Sequence, residues 1–266
     1  MHTTQKKLQA FERLLTIVDN LRTQCPWDKK QTIASLRHLT IEEVYELSEA
    51  ILQNNMSELK KELGDLALHL VLYARIASET QEFDIADVLN FICDKLIHRH
   101  PHIYGKVKAH SEEEVKENWE KIKLKEGNKS VLAGIPASVP ALIKAYRMQE
   151  KAHGVGFDWE HAHEVWNKVQ EELNEFQQCV DIQQGKATNL AKAEQEFGDL
   201  LFALVNYARF IGINPEDALE KTNQKFLRRF QFIEQAAKEN NQAITDLTLE
   251  EMNFFWERAK KAEDLV

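Results

Sequence analysis

Residues 62–75, ELGDLALHLVLYAR, and residues 196–209, EFGDLLFALVNYAR, align without a gap and agree at nine of their fourteen positions. Agreement at that density within one chain indicates an internal duplication. The correspondence extends outward on both sides. Upstream, Glu42-Glu43-Val44-Tyr45-Glu46 matches Glu171-Glu172-Leu173-Asn174-Glu175. Downstream, Lys95-Leu-Ile-His-Arg99 matches Lys225-Phe-Leu-Arg-Arg229, and Ser111 to Lys123 matches Thr248 to Lys260, with Trp119 against Trp256. The offsets of 129, 134, 130 and 137 residues drift only slightly, as loops change length while helices keep their order. The expectation is two copies of one domain, residues 1–125 and 141–266. Between them, residues 126–140 hold two of the nine glycines and two of the five prolines, which marks a linker.

Helical periodicity dominates both copies. Leu8, Phe11, Leu14, Leu15, Val18 and Leu21 recur at three- and four-residue steps, so they share one helix face. No proline falls between Pro26 and Pro101, and nothing reads convincingly as a strand. Thr40-Ile-Glu-Glu43, Ser111-Glu-Glu-Glu114 and Thr248-Leu-Glu-Glu251 fit the capping box, in which a hydroxyl and a carboxylate satisfy exposed backbone N–H groups. An all-α fold follows. With 266 residues and 43% hydrophobic composition, the chain has material for a packed core. Its net charge of −9 argues against a nucleic-acid duplex as main partner, since phosphate binding needs a basic face. Cys25, Cys93 and Cys179 form neither a disulfide framework nor a zinc spacing. The start of the chain does not read as a signal peptide, and the longest apolar runs are too short to span a bilayer. A soluble, cytoplasmic protein with no membrane partner is expected.

Each copy carries E-E-x-x-E and then, on a second helix, E-x-x-D. On a helix Glu171 and Glu175 share a face, as do Glu172 and Glu175, and Glu196 and Asp199. Like charges at these spacings are mutually destabilising unless a cation offsets them. Two such helices packed antiparallel converge carboxylates on one small volume, and all-oxygen ligation suits Mg²⁺, with Mn²⁺ as a substitute. The candidate metal ligands are Glu171, Glu172, Glu175, Glu196 and Asp199, with Glu42, Glu43, Glu46, Glu62 and Asp65 in the first copy. A single E-E-x-x-E is more often a solvated helix face, and Glu43 has an alternative role as capping partner of Thr40. Glu172 has no such alternative, because Val169 cannot cap.

These carboxylate sets, together with Cys25-Pro26-Trp27-Asp28, make the chain similar to the MazG family of the all-α NTP pyrophosphatase superfamily, over nearly its whole length. The resemblance implies a four-helix-bundle-like unit that forms a homodimer. It also implies Mg²⁺-dependent hydrolysis of nucleoside triphosphates, ribo or deoxy, to NMP and pyrophosphate, as nucleotide-pool housecleaning. In that family the carboxylates hold the metal and water attacks the α-phosphorus, which would make Glu172, Glu175, Glu196 and Asp199 the catalytic set. Activity is usually ascribed to the C-terminal copy. The alternative is a nucleotide- and metal-binding regulatory dimer without significant turnover.

A triphosphate also needs basic partners. Lys225 and Arg229, one turn apart, form a candidate phosphate clamp matched by Lys95 and Arg99, although both pairs could be ordinary surface residues. Lys192, one turn before Glu196, either reaches a phosphate or pairs with the glutamate; its counterpart in the first copy is Glu58. Trp256, and Trp119 with it, could stack on a base or simply pack in a core; the resemblance favours stacking for Trp256. The histidines at 98, 100, 102, 161 and 163 lie outside the carboxylate repeat and are not read as ligands. No glycine-rich phosphate loop and no nucleophile–base arrangement is present.

Overall fold

The computed structural model describes residues 1–108, 111, 114, 115, 118, 119, 122 and 130–263, and most of these are helical. The chain divides into two compact units, Met1–Val115 and Lys116–Val266. In the first unit the helices are α1 (Thr4–Gln24), α2 (Ile33–Leu52), α3 (Met56–Ser78), α4 (Ile85–Arg99) and the single turn α5 (Pro101–Tyr104). In the second they are α6 (Ala141–His153), α7 (Ala162–Gln178), α8 (Leu190–Phe210), α9 (Pro215–Glu239) and α10 (Leu249–Glu263).

The caps largely explain the boundaries. The hydroxyl of Thr32 accepts from the Ser35 backbone N–H at 3.0 Å while Ser35 Oγ accepts from Thr32 N–H at 2.8 Å, so α2 starts there. This corrects the start expected at Thr40. Thr40 lies inside α2, where its hydroxyl contacts the Leu36 carbonyl and, at 2.8 Å, the hydroxyl of Tyr73 on α3. Glu43 is therefore released from any capping role. The box at Thr248 is present, with Glu251 Oε2 accepting from Thr248 N–H at 2.8 Å and Thr248 Oγ1 accepting from Glu251 N–H at 3.3 Å. At Ser111 the hydroxyl accepts from Glu114 N–H at 3.2 Å, and most of the stretch to Lys123 lies outside the described residues.

In the first unit Val18, Leu36, Val71 and Leu72 form the core, joined by Phe11, Leu14 and Leu15 from α1. Leu8 and Leu21 of the expected α1 face stay exposed. In the second unit Val169 packs on Leu200 and Ala203, Trp166 on Tyr207, and Phe176 on Phe197. Numbers rise on α7 as they fall on α8, so the two helices are antiparallel. A second core, Ile233, Ala236, Ala237, Leu247 and Phe255, joins α9 to α10.

The α7–α8 connection departs from the sequence reading. It contains a short antiparallel ladder, Val180–Asp181 against Lys186–Ala187, where no strand was expected. Residues 126–129 of the expected linker lie outside the described residues; within 130–140, which is mostly exposed, the carbonyls of Val131 and Ala133 accept from Lys151 Nζ, buried on α6, at 3.1 and 3.0 Å. None of the three cysteines is in a disulfide. Among the described residues, no helix is long and apolar enough to cross a membrane.

Candidate active site

The antiparallel α7–α8 pair brings two acidic motifs together. Oxygens of Glu172, Glu175 and Glu196 lie within 4.8 Å of one another, and in the first unit those of Glu43, Glu62 and Asp65 do the same between α2 and α3. By the repeat, Glu43 corresponds to Glu172, Glu46 to Glu175, Glu62 to Glu196 and Asp65 to Asp199. Each unit therefore gathers three of the same four positions. The fourth stays close: Glu46 raises the pKa of Glu43, while Asp199 lines a cavity beside Glu172. Glu42 is exposed and outside the cluster, and Glu171 is exposed and held by Lys168 at 2.8 Å.

Electrostatics sets these clusters apart from solvated helix faces. The Glu43 carboxyl is pushed above the usual carboxylate range by burial first, then by Asp65, Glu46 and Glu62. Glu175 is pushed up by loss of surrounding water, then by Glu172 and Glu196. Glu62, Glu172 and Glu196 are buried, and Glu62 Oε2 has no hydrogen-bond partner among the described residues. Buried acids in mutual repulsion with an orphaned oxygen fit a hard divalent cation, whose oxygen ligands surround it at about 2.0–2.6 Å.

Two of these buried acids, one in each unit, also meet a lysine. Lys61 Nζ lies 3.0 Å from Glu62 Oε1, and Lys168 Nζ lies 2.7 Å from Glu172 Oε1. Both lysines are held well above the ordinary range by their glutamates. They come from opposite helices of the pair, and the position matching Lys168 in the first unit is Leu39. Lys168 was not singled out in the sequence, although its place three and four residues before Glu171 and Glu172 was the available signal.

Beside the second cluster lies a cavity of about 470 Å³, a size suited to a small molecule. Lys168, Glu172 and Asp199 are among its lining residues, and Met148, Phe157, Trp159 and Phe202 supply apolar wall. Along α8 it extends from Asp199 to Arg209, a rise of about 15 Å. Gly156, at φ +85°, turns the chain after α6 so that Phe157–Trp159 folds back over it. Asp158 then accepts from Arg209 Nη2 with both carboxylate oxygens at 2.7 Å, which ties this loop to α8.

The other expected substrate contacts lie elsewhere. Lys192 is exposed in the first turn of α8 and Lys225 is exposed on α9, neither in an ion pair among the described residues. Arg229 pairs with Glu263 at 2.7 Å and stacks 5.5 Å from the Trp256 ring, which also packs against Phe226. None of these four lines the cavity. In the first unit Lys95 lies 6.0 Å from the Phe91 ring and Arg99 is half-buried. Trp119 is half-buried and falls on the second unit's side of the division.

Known proteins are similar to this chain along most of its length. Residues 31–104 match the model of the MazG nucleotide pyrophosphohydrolase domain. Over 259 residues the chain is 40% identical to the nucleoside triphosphate pyrophosphohydrolase/pyrophosphatase MazG of Thermotoga maritima, covering 96% of this chain and 97% of that one. It is 41% identical over 263 residues to the nucleoside triphosphate pyrophosphohydrolase of Escherichia coli, covering 96% and 99%. An uncharacterized Bacillus subtilis protein, YabN, is 45% identical over 258 residues, about half of its own length. Duplicated carboxylate pairs and near full-length identity agree: the chain belongs to the MazG family.

Proposed function

We propose that the chain is a nucleoside triphosphate pyrophosphohydrolase whose working site is in the second unit, cleaving NTPs and dNTPs to NMP and pyrophosphate in nucleotide-pool housecleaning. The observation that carries this reading is the opening of the Glu172–Glu175–Glu196 cluster onto a ligand-sized cavity walled by Lys168 and Asp199. Glu172, Glu175 and Glu196, with Asp199 beside them, would hold Mg²⁺, or Mn²⁺ in its place. When bound, such an ion neutralises phosphate charge and acidifies water.

The protein's own groups do the rest. Lys168 exchanges its glutamate partners for a phosphate oxygen as substrate enters. Asp199, in no ion pair among the described residues, takes the proton of the attacking water. The new bond forms from that water to the α-phosphorus, the α–β bridge breaks, and pyrophosphate leaves. Lys192 and Lys225 are further cations that a triphosphate recruits, whereas Arg229 must first leave Glu263.

The first unit is read as a metal site of lower activity. Leu39 stands where the second unit has Lys168, and His69 stands where Ala203 lines the cavity. Homodimerisation is supported by the exposed apolar side chains Phe197, Leu201 and Leu204 on α8. Gly198, inside the same helix with open space around it, leaves room for a second backbone. A nucleotide substrate and a chain without disulfides fit a cytoplasmic setting.

The test is product identification with ATP, dTTP and dCTP, with and without Mg²⁺. NMP and pyrophosphate that appear only with metal, vanish in Glu172→Ala and persist in Glu43→Ala support the reading. NDP and phosphate, or full activity in Glu172→Ala, would overturn it.

A further inference from the structure

The first unit carries a buried group that neither its core nor its three clustered carboxylates account for. His69, on α3, is 8% exposed, and its Nδ1 has no hydrogen-bond partner among the described residues. A buried ring nitrogen left unpaired is destabilising, and native structures keep such groups rare. On the same helix Glu62 is 2% exposed, and Lys61 meets its Oε1 at 3.0 Å while Oε2 stays unpaired among the described residues. Glu62, Asp65 and His69 fall at i, i+3 and i+7, so they share one face of α3. Two orphaned polar atoms, both buried, therefore flank Asp65 on that face.

That face points at α2. Glu62 and Asp65 bring carboxylate oxygens within 4.8 Å of one of Glu43, on α2. Asp65 also acts on His69: burial pushes the imidazole below its ordinary pKa, and the Asp65 charge opposes the shift. The neutral ring is favoured, which is the form that binds a metal. The duplicated helix pair gives the same direction. Ala203, the counterpart of His69, packs on Val169 of α7 and lines one cavity with Glu172 and Asp199. By the repeat, position 69 is directed at the carboxylates of its own unit.

An aspartate and a histidine four residues apart on a helix can meet one ion, at the spacing the two histidines of H-E-x-x-H use. Carboxylates with an added imidazole are also a donor set that helical bundles use for iron and manganese. Mg²⁺ favours oxygen and retains its waters, whereas Fe²⁺, Co²⁺ and Zn²⁺ gain from a nitrogen ligand. The second unit has alanine at this position, and its Lys168 stands where the first unit has Leu39. An ammonium repels a bound cation and a leucine does not. At the same place, then, the first unit gains a ligand and lacks a positive charge.

We propose that His69 is a nitrogen ligand of the first unit's metal site and biases that site toward a first-row transition ion such as Fe²⁺, Co²⁺ or Zn²⁺, leaving Mg²⁺ to the second unit. The proposal rests on the reading of the first unit as a metal site and extends it by naming the class of ion. An all-carboxylate site also ranks these ions by affinity. What His69 changes is the margin over Mg²⁺, which is wider in the first unit than in the second.

Calorimetric titration of the full chain with Co²⁺ and with Mg²⁺ tests this, together with proton NMR of the Co²⁺ form. A coordinated imidazole should give a strongly shifted N–H resonance that exchanges away in heavy water. His69→Ala, which imports the second unit's residue, should abolish that resonance and weaken the tighter class of Co²⁺ binding about tenfold or more. Mg²⁺ affinity should stay unchanged. If His69→Ala does not fold, the wild type decides: no shifted N–H resonance with Co²⁺ bound overturns the proposal. A resonance that survives in His69→Ala also overturns it, since it then comes from another histidine. The same holds for a Tm that falls equally with chelator and with Co²⁺, the mark of a side chain that only packs. Glu62→Gln separates the two readings. Co²⁺ binding that drops in Glu62→Gln but ignores His69→Ala leaves the first unit's metal site standing and removes His69 from it. Co²⁺ binding indifferent to both substitutions removes the site itself.

Discussion

Lys168 Nζ sits 2.7 Å from Glu172 Oε1, one helical turn along the same helix, and gives this buried acid of the second cluster a direct counter-charge. The lysine also spans to Glu171 at 2.8 Å. An internal cation thus occupies part of the role that a divalent ion and a substrate phosphate would share.

Replacing Lys168 by Met leaves Glu172 beside Glu175 and Glu196 without its counter-charge. The metal-free protein should lose about 1 kcal/mol, since Lys168 is itself partly solvated. That corresponds to a fall of roughly 2–4 °C in Tm. Added Mg²⁺ should restore more stability to the variant than to wild type, as read by thermal melts with chelator and with metal. Equal Mg²⁺ increments in both proteins would argue that the cluster does not bind the ion.

Asp158 and Arg209 are both mostly buried, with side chains 11% and 9% exposed. Asp158→Ala strands the guanidinium against Asn206 alone, which accepts from Arg209 Nε at 3.0 Å. The expected loss is about 3 kcal/mol. Melts should show a decrease of roughly 6–12 °C. Because the same pair ties the Phe157–Trp159 loop to α8, nucleotide affinity should fall with it.

The Arg22–Glu79 pair predicts an acid-sensitive contribution in the first unit. Arg22 Nε donates to Glu79 Oε1 at 2.8 Å and holds that carboxyl below the usual carboxylate range. A depressed folded-state pKa stabilises above the unfolded value, about 4.3, and the contribution disappears as pH falls through the folded value. Glu79→Gln should therefore cost about 1 kcal/mol near neutrality, the carboxyl being partly exposed. The difference from wild type should shrink as denaturation is repeated at progressively lower pH below the ordinary glutamate range.

Thr32, rather than Thr40, opens α2. Thr32→Ala should cost about 1 kcal/mol through loss of the N-cap. Urea titration of wild type and variant reads this directly, and a midpoint unchanged in Thr32→Ala would contradict the assigned helix start.

The all-α class, the duplication and the carboxylate positions were legible because they depend on local rules. Apolar spacing selects helices, and E-E-x-x-E with E-x-x-D puts acids on one face at fixed intervals. The start of α2 was misread because Thr40-Ile-Glu-Glu43 satisfies the capping pattern locally, while the Thr32–Ser35 box starts the helix earlier. Lys168 and His69 were not singled out for a different reason. A lysine or histidine on a helix has no signature of its own, and its role depends on which neighbour it meets across the fold.

The sequence by itself determined that this chain is helical, duplicated and armed with paired acids, since periodicity and spacing act within a few turns of helix. Only the tertiary structure decided that Glu196 joins Glu172 and Glu175 while Asp199 faces a cavity. It also decided that Gln149 meets Phe202 across 53 positions of the chain. Those choices follow from the antiparallel packing of α7 on α8 and of α6 against α8, where side-chain volume and the pairing of buried charge select one arrangement among many that local pattern permits.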